Sequence, residues 1–509
     1  MFKLIDDFLN ETTMYRVVLY VLIFLYLGAM ALGAFGIMPY TPLSLAISLA
    51  IILATCLITN LVFEKVFEAP SNIESTYITA LILVLIITPL SSFADLSQLS
   101  LLIWASILAI ASKYILAINK KHLFNPAAFA VALTSLTLGL SASWWIGSSS
   151  MFIFVVIGGI LIVKKIQRWD LVTSFLITAL VTIIISSIVK GSNVLSITLT
   201  SIYGSYLFFF AFVMLTEPLT TPPTKKLRII YGIIIGILAV PLVHIGSFYT
   251  TPEIALLIGN VFAYIVSPKG KHILKLKQKI EIGPEQYDFI FQTDKKINFQ
   301  PGQYFEFTLG HKHADTRGNR RYFTIASSPT EENLRLGVKF YPNSSSFKKT
   351  MAGMTTGSEL VAGQLAGDFT LPKDENKKLV FIAGGIGITP YRSMLKYLTD
   401  KNEKRNIILF YSNYKADDIA YSDVFNEAQK KIQAKTIYTL TNPDLIPKDW
   451  RGQKGYISKE MIAKEVPDYK ERLYYISGSH SMVEGMKKVL HELGIHHSQI
   501  KTDFFPGFV

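Results

Sequence analysis

Gly384-Gly-Ile-Gly-Ile-Thr-Pro390 follows the apolar run KLVFIA and opens an amphipathic stretch. A glycine turn between a strand and a helix lets backbone approach a nucleotide, and the helix's first N–H groups then face phosphate. Two further segments sit at the ends of apolar runs: Lys121-His-Leu-Phe-Asn-Pro-Ala-Ala-Phe129 and Met214-Leu-Thr-Glu-Pro-Leu-Thr-Thr-Pro-Pro-Thr224. Asn125-Pro126 starts a helix, because Pro fits a first turn, and such a start points donors at an anion. Glu217 lies beside prolines that free nearby carbonyls, although ordinary breakers at a membrane interface would look the same. Ionisable residues inside apolar spans are functional suspects. Here they are few: Lys113 and Glu217 near one face and His244 near the other, with no Asp or Glu near a midplane, which argues against a proton relay. Sodium can still use backbone and hydroxyl oxygens. The single cysteine, Cys56, excludes a cysteine-ligated iron–sulfur cluster, an intrachain disulfide and a Cys-rich zinc site, and no metal site is expected.

The elements that must position these residues differ between the two halves of the chain. Residues 1–267 carry 13 Lys+Arg and 10 Asp+Glu, and residues 268–509 carry 37 and 27. The first half holds ten apolar runs, at 14–36, 41–62, 76–90, 98–118, 127–140, 144–163, 171–189, 201–216, 228–247 and 253–267. They predict an α-helical membrane bundle of about ten spans, several shorter than the roughly 20 residues of an upright span. No internal repeat is legible. Segment 268–376 reads as short alternating strands punctuated by Gly and Pro, among them YDFIFQT, YFEFTLG, RYFTIAS and LRLGVKFY, which predicts an antiparallel β-barrel. Segment 377–509 alternates strands such as NIILFYS with helical stretches such as DVFNEAQKKIQ, the rhythm of an α/β doubly wound parallel sheet. The chain therefore reads as three domains: 1–267, 268–376 and 377–509.

Half the chain is apolar, only 17% is charged and the mean hydropathy is +0.36. The net charge of +13 does not argue for nucleic acid, because many basic residues flank apolar runs, where they serve topology and anionic lipid. Alternate loops carry Lys65; Lys120 and Lys121; Lys164, Lys165 and Arg168; Lys225, Lys226 and Arg228; Lys269 and Lys271; the intervening loops carry only Lys190. Over ten crossings, the positive-inside rule makes this a multi-pass cell-membrane protein with both termini and the C-terminal half in the cytoplasm. The segment MFKLIDDFLNETTMYR lacks the basic start and small-residue cleavage site of a signal peptide.

Arg321-Tyr-Phe-Thr-Ile-Ala-Ser327 resembles the R-x-Y-[S/T] flavin signature of the ferredoxin–NADP reductase superfamily. Pro301-Gly-Gln-Tyr304 also matches, and Ser344, Ser345 and Ser346 match that family's second phosphate-contacting turn. The resemblance implies FAD on this strand, Tyr322 included. Arg321 would pair bidentately with the pyrophosphate, Phe323 would replace the usual stacking Tyr, and Thr324 would bond the hydride-accepting N5. It also implies NAD(P)H at Gly384, Gly385, Gly387, Thr389 and Pro390. Ser477-Gly478-Ser-His-Ser-Met482 is similar to C-G-P-x-x-M, with Ser477 in place of the Cys beside the nicotinamide. Hydride transfer is cofactor chemistry, so activity should survive that exchange. Thr502-Asp-Phe-Phe-Pro-Gly-Phe508 resembles E-x-F-x-G-Y, whose last aromatic would stack on the flavin; a buried packing aromatic is an equal reading. Ser412-Asn-Tyr-Lys-Ala-Asp417 lacks an arginine for a 2′-phosphate and sets acidic residues beside Lys415, which favours NADH.

The run pattern, FNPAAF and MLTEPLTTPPT resemble the RnfD/NqrB family of membrane subunits, over roughly residues 10–267. That family carries flavin in the membrane, held covalently on a Thr in an S/T-G-A-T motif. No such motif occurs here, and Thr200, Thr220, Thr221 and Thr224 all lack that context. A non-covalent FMN or riboflavin, or a quinone, is left at Asn125 and Glu217. The resulting expectation is an oxidoreductase passing electrons from NAD(P)H through FAD to a flavin, quinone or partner carrier in the membrane, and across it. Two other functions compete. A transporter with a regulatory nucleotide-binding domain would leave the flavin signature idle. A haem-type transmembrane reductase needs two pairs of membrane histidines, and this half has only His122 and His244, near opposite faces.

Overall fold

A computed structural model describes residues 5, 8–9, 12–67, 73–118, 121–240, 244–245, 248–268, 270–311, 315 and 319–503, with 121, 244, 245 and 248 in backbone only. The chain divides into two compact units, Met1–Gly270 and Lys271–Val509.

The first unit is helical: α1 (Met14–Ala34), α2 (Pro42–Val66), α3 (Ile73–Ile86), α4 (Leu96–Ile115), a ladder of β1 (Ala117–Ile118) with β2 (Lys121–His122), and α5 (Pro126–Leu138). There follow α6 (Phe152–Ile166), α7 (Trp169–Val189), α8 (Val194–Tyr203), α9 (Leu207–Met214), α10 (Lys225–Leu238), a second ladder of β3 (His244–Ile245) with β4 (Phe248–Tyr249), and α11 (Pro252–Val266). Every apolar run carries a helix, but the expected count of ten spans is corrected: among the described residues five helices are long and apolar enough to cross a membrane, or six if α8 and α9, bent by 52°, form one. The runs overstate the helices because they include breakers. The run 76–90 contains Thr88-Pro89, and α3 stops at Ile86; the run 127–140 contains Gly139, which ends α5 at φ +66°. Helices of 13 to 15 residues, such as α3, α5 and α11, reach only about 20 Å against roughly 30 Å of hydrocarbon. The loop alternation that set the orientation rested on ten crossings.

The expectation of no internal repeat is also corrected. Elements α1 to α5 and α6 to α11 follow one order. In each set the third element breaks before a proline: α3 ahead of Thr88-Pro-Leu90, and α8 with α9 ahead of Glu217-Pro-Leu219. In each set a two-residue antiparallel ladder, pairing Ala117 with His122 or His244 with Tyr249, then leads into a short Pro-started helix. The repeat lies in breakers and element order rather than in side chains, so residue matching misses it. Within the second set Gly232 and Gly236 let α10 lie directly on α7: a Cβ at Gly232 would stand 2.2 Å from Ser174 Oγ.

The second unit holds two six-stranded sheets. The antiparallel one comprises β5 (His272–Gly283), β6 (Gln286–Thr293), β7 (Tyr304–Thr308), β8 (Arg320–Thr324), β9 (Leu334–Lys339) and, after α12 (Ser346–Ala352), β10 (Glu359–Ala366). Its order is β8-β7-β10-β5-β6-β9. Ala326 N donates to Arg335 O at 2.9 Å, which brings the two edges together and curls the sheet toward a barrel. The parallel one comprises β11 (Leu379–Gly384), α13 (Thr389–Lys401), β12 (Ile407–Asn413), α14 (Ser422–Ile432), β13 (Lys435–Leu440), β14 (Gln453–Lys454), α15 (Lys459–Glu465), β15 (Leu473–Ser477), α16 (His480–Glu492) and β16 (Ile500–Asp503). Its order β14-β13-β12-β11-β15-β16 reverses at β11, so the carboxyl ends of β11 and β15 open a crevice at a topological switch point.

Candidate functional site

In the reductase unit, Arg321 is 2% exposed and its guanidinium lies 5.3 Å over the Phe347 ring, at the start of α12. Ser345 caps that helix by accepting from Lys348 N, and Ser344 Oγ donates to Tyr341 O. Ser346 N donates to Asp315 Oδ2 at 2.9 Å, and its Oγ accepts from Asp315 N. A carboxylate thus already occupies one donor of the turn expected to hold a pyrophosphate, and a buried guanidinium stands beside it. This donor set fits FAD. Tyr322 donates to Glu306 Oε2 at 2.9 Å, and Phe323 packs against Phe307 and Phe347.

Thr324 Oγ1 donates to Asp503 Oδ2 at 2.8 Å. Asp503 is the register partner of Ser477 across the β15–β16 ladder, so the structure brings Thr324 and Ser477 to one place. Burial pushes the Asp503 carboxyl up to about 7, against a smaller opposing pull from the Thr324 hydroxyl. Asp503 was no sequence candidate; its signal was the position matching the acid of E-x-F-x-G-Y. Phe508 lies outside the described residues.

The glycine turn divides by role. A Cβ on Gly384 would stand 2.0 Å from Met482 Sδ, and one on Gly387 would stand 2.6 Å from Ser477 O and 2.7 Å from Gly478 Cα. These two glycines, with Gly478 and Met482, close-pack the ends of β11 and β15. Gly385 has φ +52° and nothing within 4 Å of its Cβ position, so it is the open position of the turn. Thr389 and Pro390 begin α13, whose Arg392 forms a bidentate pair with Glu331 (2.7 and 3.0 Å) and donates to Ala326 O, while Ser393 donates to Ser327 O. These bonds fasten the coenzyme sheet against the end of the flavin strand. Lys415 stands 3.9 Å from Asp417.

In the membrane unit, Asn125 and Glu217 meet. Glu217 Oε2 accepts from Asn125 Nδ2 at 3.0 Å and from Thr220 Oγ1 at 3.1 Å, and Oε1 lies 3.0 Å from His122 Nε2. Asn125 caps α5 through Ala128 N, and its own N–H donates to Asn260 Oδ1 at 2.8 Å. Asn260 is 1% exposed and is held in turn by Tyr231 OH. Reading the sequence passed over Asn260, although a lone amide in the run ALLIGNVFAY is a signal of the kind that marked Lys113. Asn125, Thr216, Glu217, Ser75 and Thr79 form the polar edge of a partly open pocket whose other walls include Val18, Ile78, Ile82 and Val213. An apolar pocket with a few polar groups at its rim is the usual form of a small-molecule site. No group of His, Cys, Asp and Glu suited to a metal occurs among the described residues.

Residues 104–269 match the NQR2, RnfD, RnfE family, and residues 381–488 match the oxidoreductase NAD-binding domain. The glycine betaine monooxygenase reductase subunit of Chromohalobacter salexigens is 26% identical over 240 residues, 46% of this chain and 64% of the relative. The flavohemoprotein of Bacillus subtilis is 29% identical over 209 residues, 41% of this chain and 51% of the relative. The chain thus spans about half to two thirds of the length of these relatives. Among solved structures, the Amycolatopsis cytochrome P450 reductase GcoB aligns with TM-score 0.42 at 20% identity, covering 47% of this chain and 71% of that one. A Malassezia yamatoensis flavohemoglobin with bound FAD and heme aligns with TM-score 0.43 at 19% identity, covering 59% and 73%.

Proposed function

We propose that this chain, an NQR2/RnfD/RnfE-type membrane segment joined to a ferredoxin reductase-type FAD/NAD module, passes electrons from NAD(P)H through FAD to a flavin or quinone in the membrane unit. The reductase unit faces the cytoplasm in this reading, where the coenzyme is. The observation that carries the proposal is the hydrogen bond from Thr324 to Asp503, the ladder partner of Ser477. It joins the residue expected at the flavin N5 to the one expected at the nicotinamide.

When bound, FAD takes hydride from the nicotinamide and releases electrons singly. The protein's part is positional. Arg321 and the Ser344–Ser346 turn hold the diphosphate, and the Arg392–Glu331 pair fixes the angle between the two sheets. Asp503, poised near neutral pH, holds a proton one hydrogen bond from Thr324 Oγ1.

Anaerobic NADH added to the detergent-purified chain should bleach flavin absorbance, with more than one flavin per chain counted by mass spectrometry. No bleaching by NADH or NADPH overturns the reading, and a single flavin leaves direct quinone reduction. The repeated element sets favour a second reading, a transporter regulated by nucleotide, since repeats with breakers in matching places are a transporter trait. Solute uptake into vesicles without NADH would support it.

A further inference from the structure

We propose that Lys113 is the charge-compensating residue of the membrane pocket, acting through the Ser75 hydroxyl to favour the negatively charged, reduced form of the ring bound there. The inference rests on the reading above that a redox-active ring occupies this pocket.

Lys113 lies in the last turn of α4, half-buried, where its ammonium donates to Ser75 O at 3.0 Å and to Ser75 Oγ at 3.1 Å. It forms no ion pair with a described carboxylate, whereas Arg16 is paired with Glu74 at 2.9 Å. A cation inside an apolar bundle is costly unless a negative charge offsets it. Glu217 acts on Lys113 through space only, its oxygens being bonded by His122, Asn125 and Thr220 rather than by the ammonium. Ser75 lines the pocket. Its oxygen accepts from Lys113 and its O–H donates to no described residue, so the hydroxyl is a donor available to the pocket and polarised by the ammonium behind it.

An electron delivered from the reductase unit adds one negative charge to the ring and removes one from the donor. No bond forms or breaks at the ring, and Lys113 keeps its proton. Lys113 has no described carboxylate in contact, so the charge that reduction creates in the pocket is one it can offset, and lysine and reduced ring stabilise one another.

The test uses two rings of nearly one shape on the oxidised full-length chain in lipid nanodiscs without NADH. One is neutral 1,4-naphthoquinone. The other is 2-hydroxy-1,4-naphthoquinone, an anion at neutral pH that stands in for the reduced charge. Binding is counted by equilibrium dialysis. Lys113→Met should weaken the anion about tenfold, the size of one charge at roughly 10 Å and an effective permittivity near 20, and leave the neutral ring unchanged; Lys113→Arg should restore the preference. Equal weakening of both rings, or of neither, overturns the role of Lys113 while leaving the pocket intact. If Lys113→Met does not fold, Ser75→Ala decides: it should lower the preference for the anion severalfold, and an unchanged preference overturns the proposal. If neither ring binds the unaltered chain, the ring-binding reading of the pocket falls and the inference falls with it.

Discussion

Glu217 and Asp503 are carboxylates at the two candidate sites, and they are held in opposite ways. Glu217 has an imidazole, an amide and a hydroxyl around its oxygens, drawn from two segments of the membrane unit. Asp503 has one hydroxyl and is otherwise buried. A carboxylate surrounded by donors is a fixed anchor, because each donor left unpaired costs free energy. A carboxylate with one partner in a dry site is poised to take up a proton. The contrast assigns architecture to the first and proton handling to the second.

The largest expected effect tests the second half of that contrast. The folded value for Asp503, about 7, lies above the roughly 3.9 of an unfolded Asp. The native chain therefore binds the extra proton. Its stability is full below about pH 4 and is lost as pH rises toward 7, by up to about 4 kcal/mol. Asp503→Asn should abolish that slope in thermal unfolding of the reductase unit between pH 5 and 8. Glu217→Gln should instead cost about 1–3 kcal/mol, because an amide N–H₂ would then face donors. A matching pH slope lost in both variants would erase the distinction.

The next effect compares cofactor holding. Arg321→Ala removes a buried guanidinium beside the Ser344–Ser346 turn and should weaken FAD roughly tenfold to a hundredfold, read as flavin retained after gel filtration. Pocket ligand in the membrane unit should be unaffected. Retention of stoichiometric FAD would remove Arg321 from the site.

The two regions also differ in how far the sequence discloses them. In the reductase unit each motif is local: Arg321 to Thr324 form one strand, and Gly384 to Pro390 one strand-to-helix turn. Alternation and glycine context carry such information within about ten residues. What stayed hidden there was pairing across the chain, such as Thr324 with Asp503, 179 residues apart. In the membrane unit nearly every contact at the site is of that kind: Asn125 with Glu217 spans 92 residues and Asn125 with Asn260 spans 135. Apolar runs also hide where helices stop, because hydropathy averages over Thr88-Pro89 and Gly139. That is why ten runs were legible and five or six long spans were not. The repeat escaped for a related reason, since it consists of breakers whose neighbours differ between the two sets.

The smallest expected effect separates two glycines two residues apart, Gly385 and Gly387. If Gly387 exists to let β11 and β15 close-pack, Gly387→Ala must push against Ser477 O and Gly478 Cα, which are backbone and cannot swing away. It should raise the coenzyme KM severalfold with FAD still bound, because the crevice floor shifts. Gly385→Ala meets no atom, and only its left-handed φ of +52° opposes a side chain, at about 1 kcal/mol of stability. If Gly385 faces the coenzyme, its methyl also stands where the nucleotide backbone approaches, and KM rises with that small loss of stability. If KM rises for Gly387→Ala and stays unchanged for Gly385→Ala, the turn acts through sheet packing alone and the open position is not the coenzyme's approach.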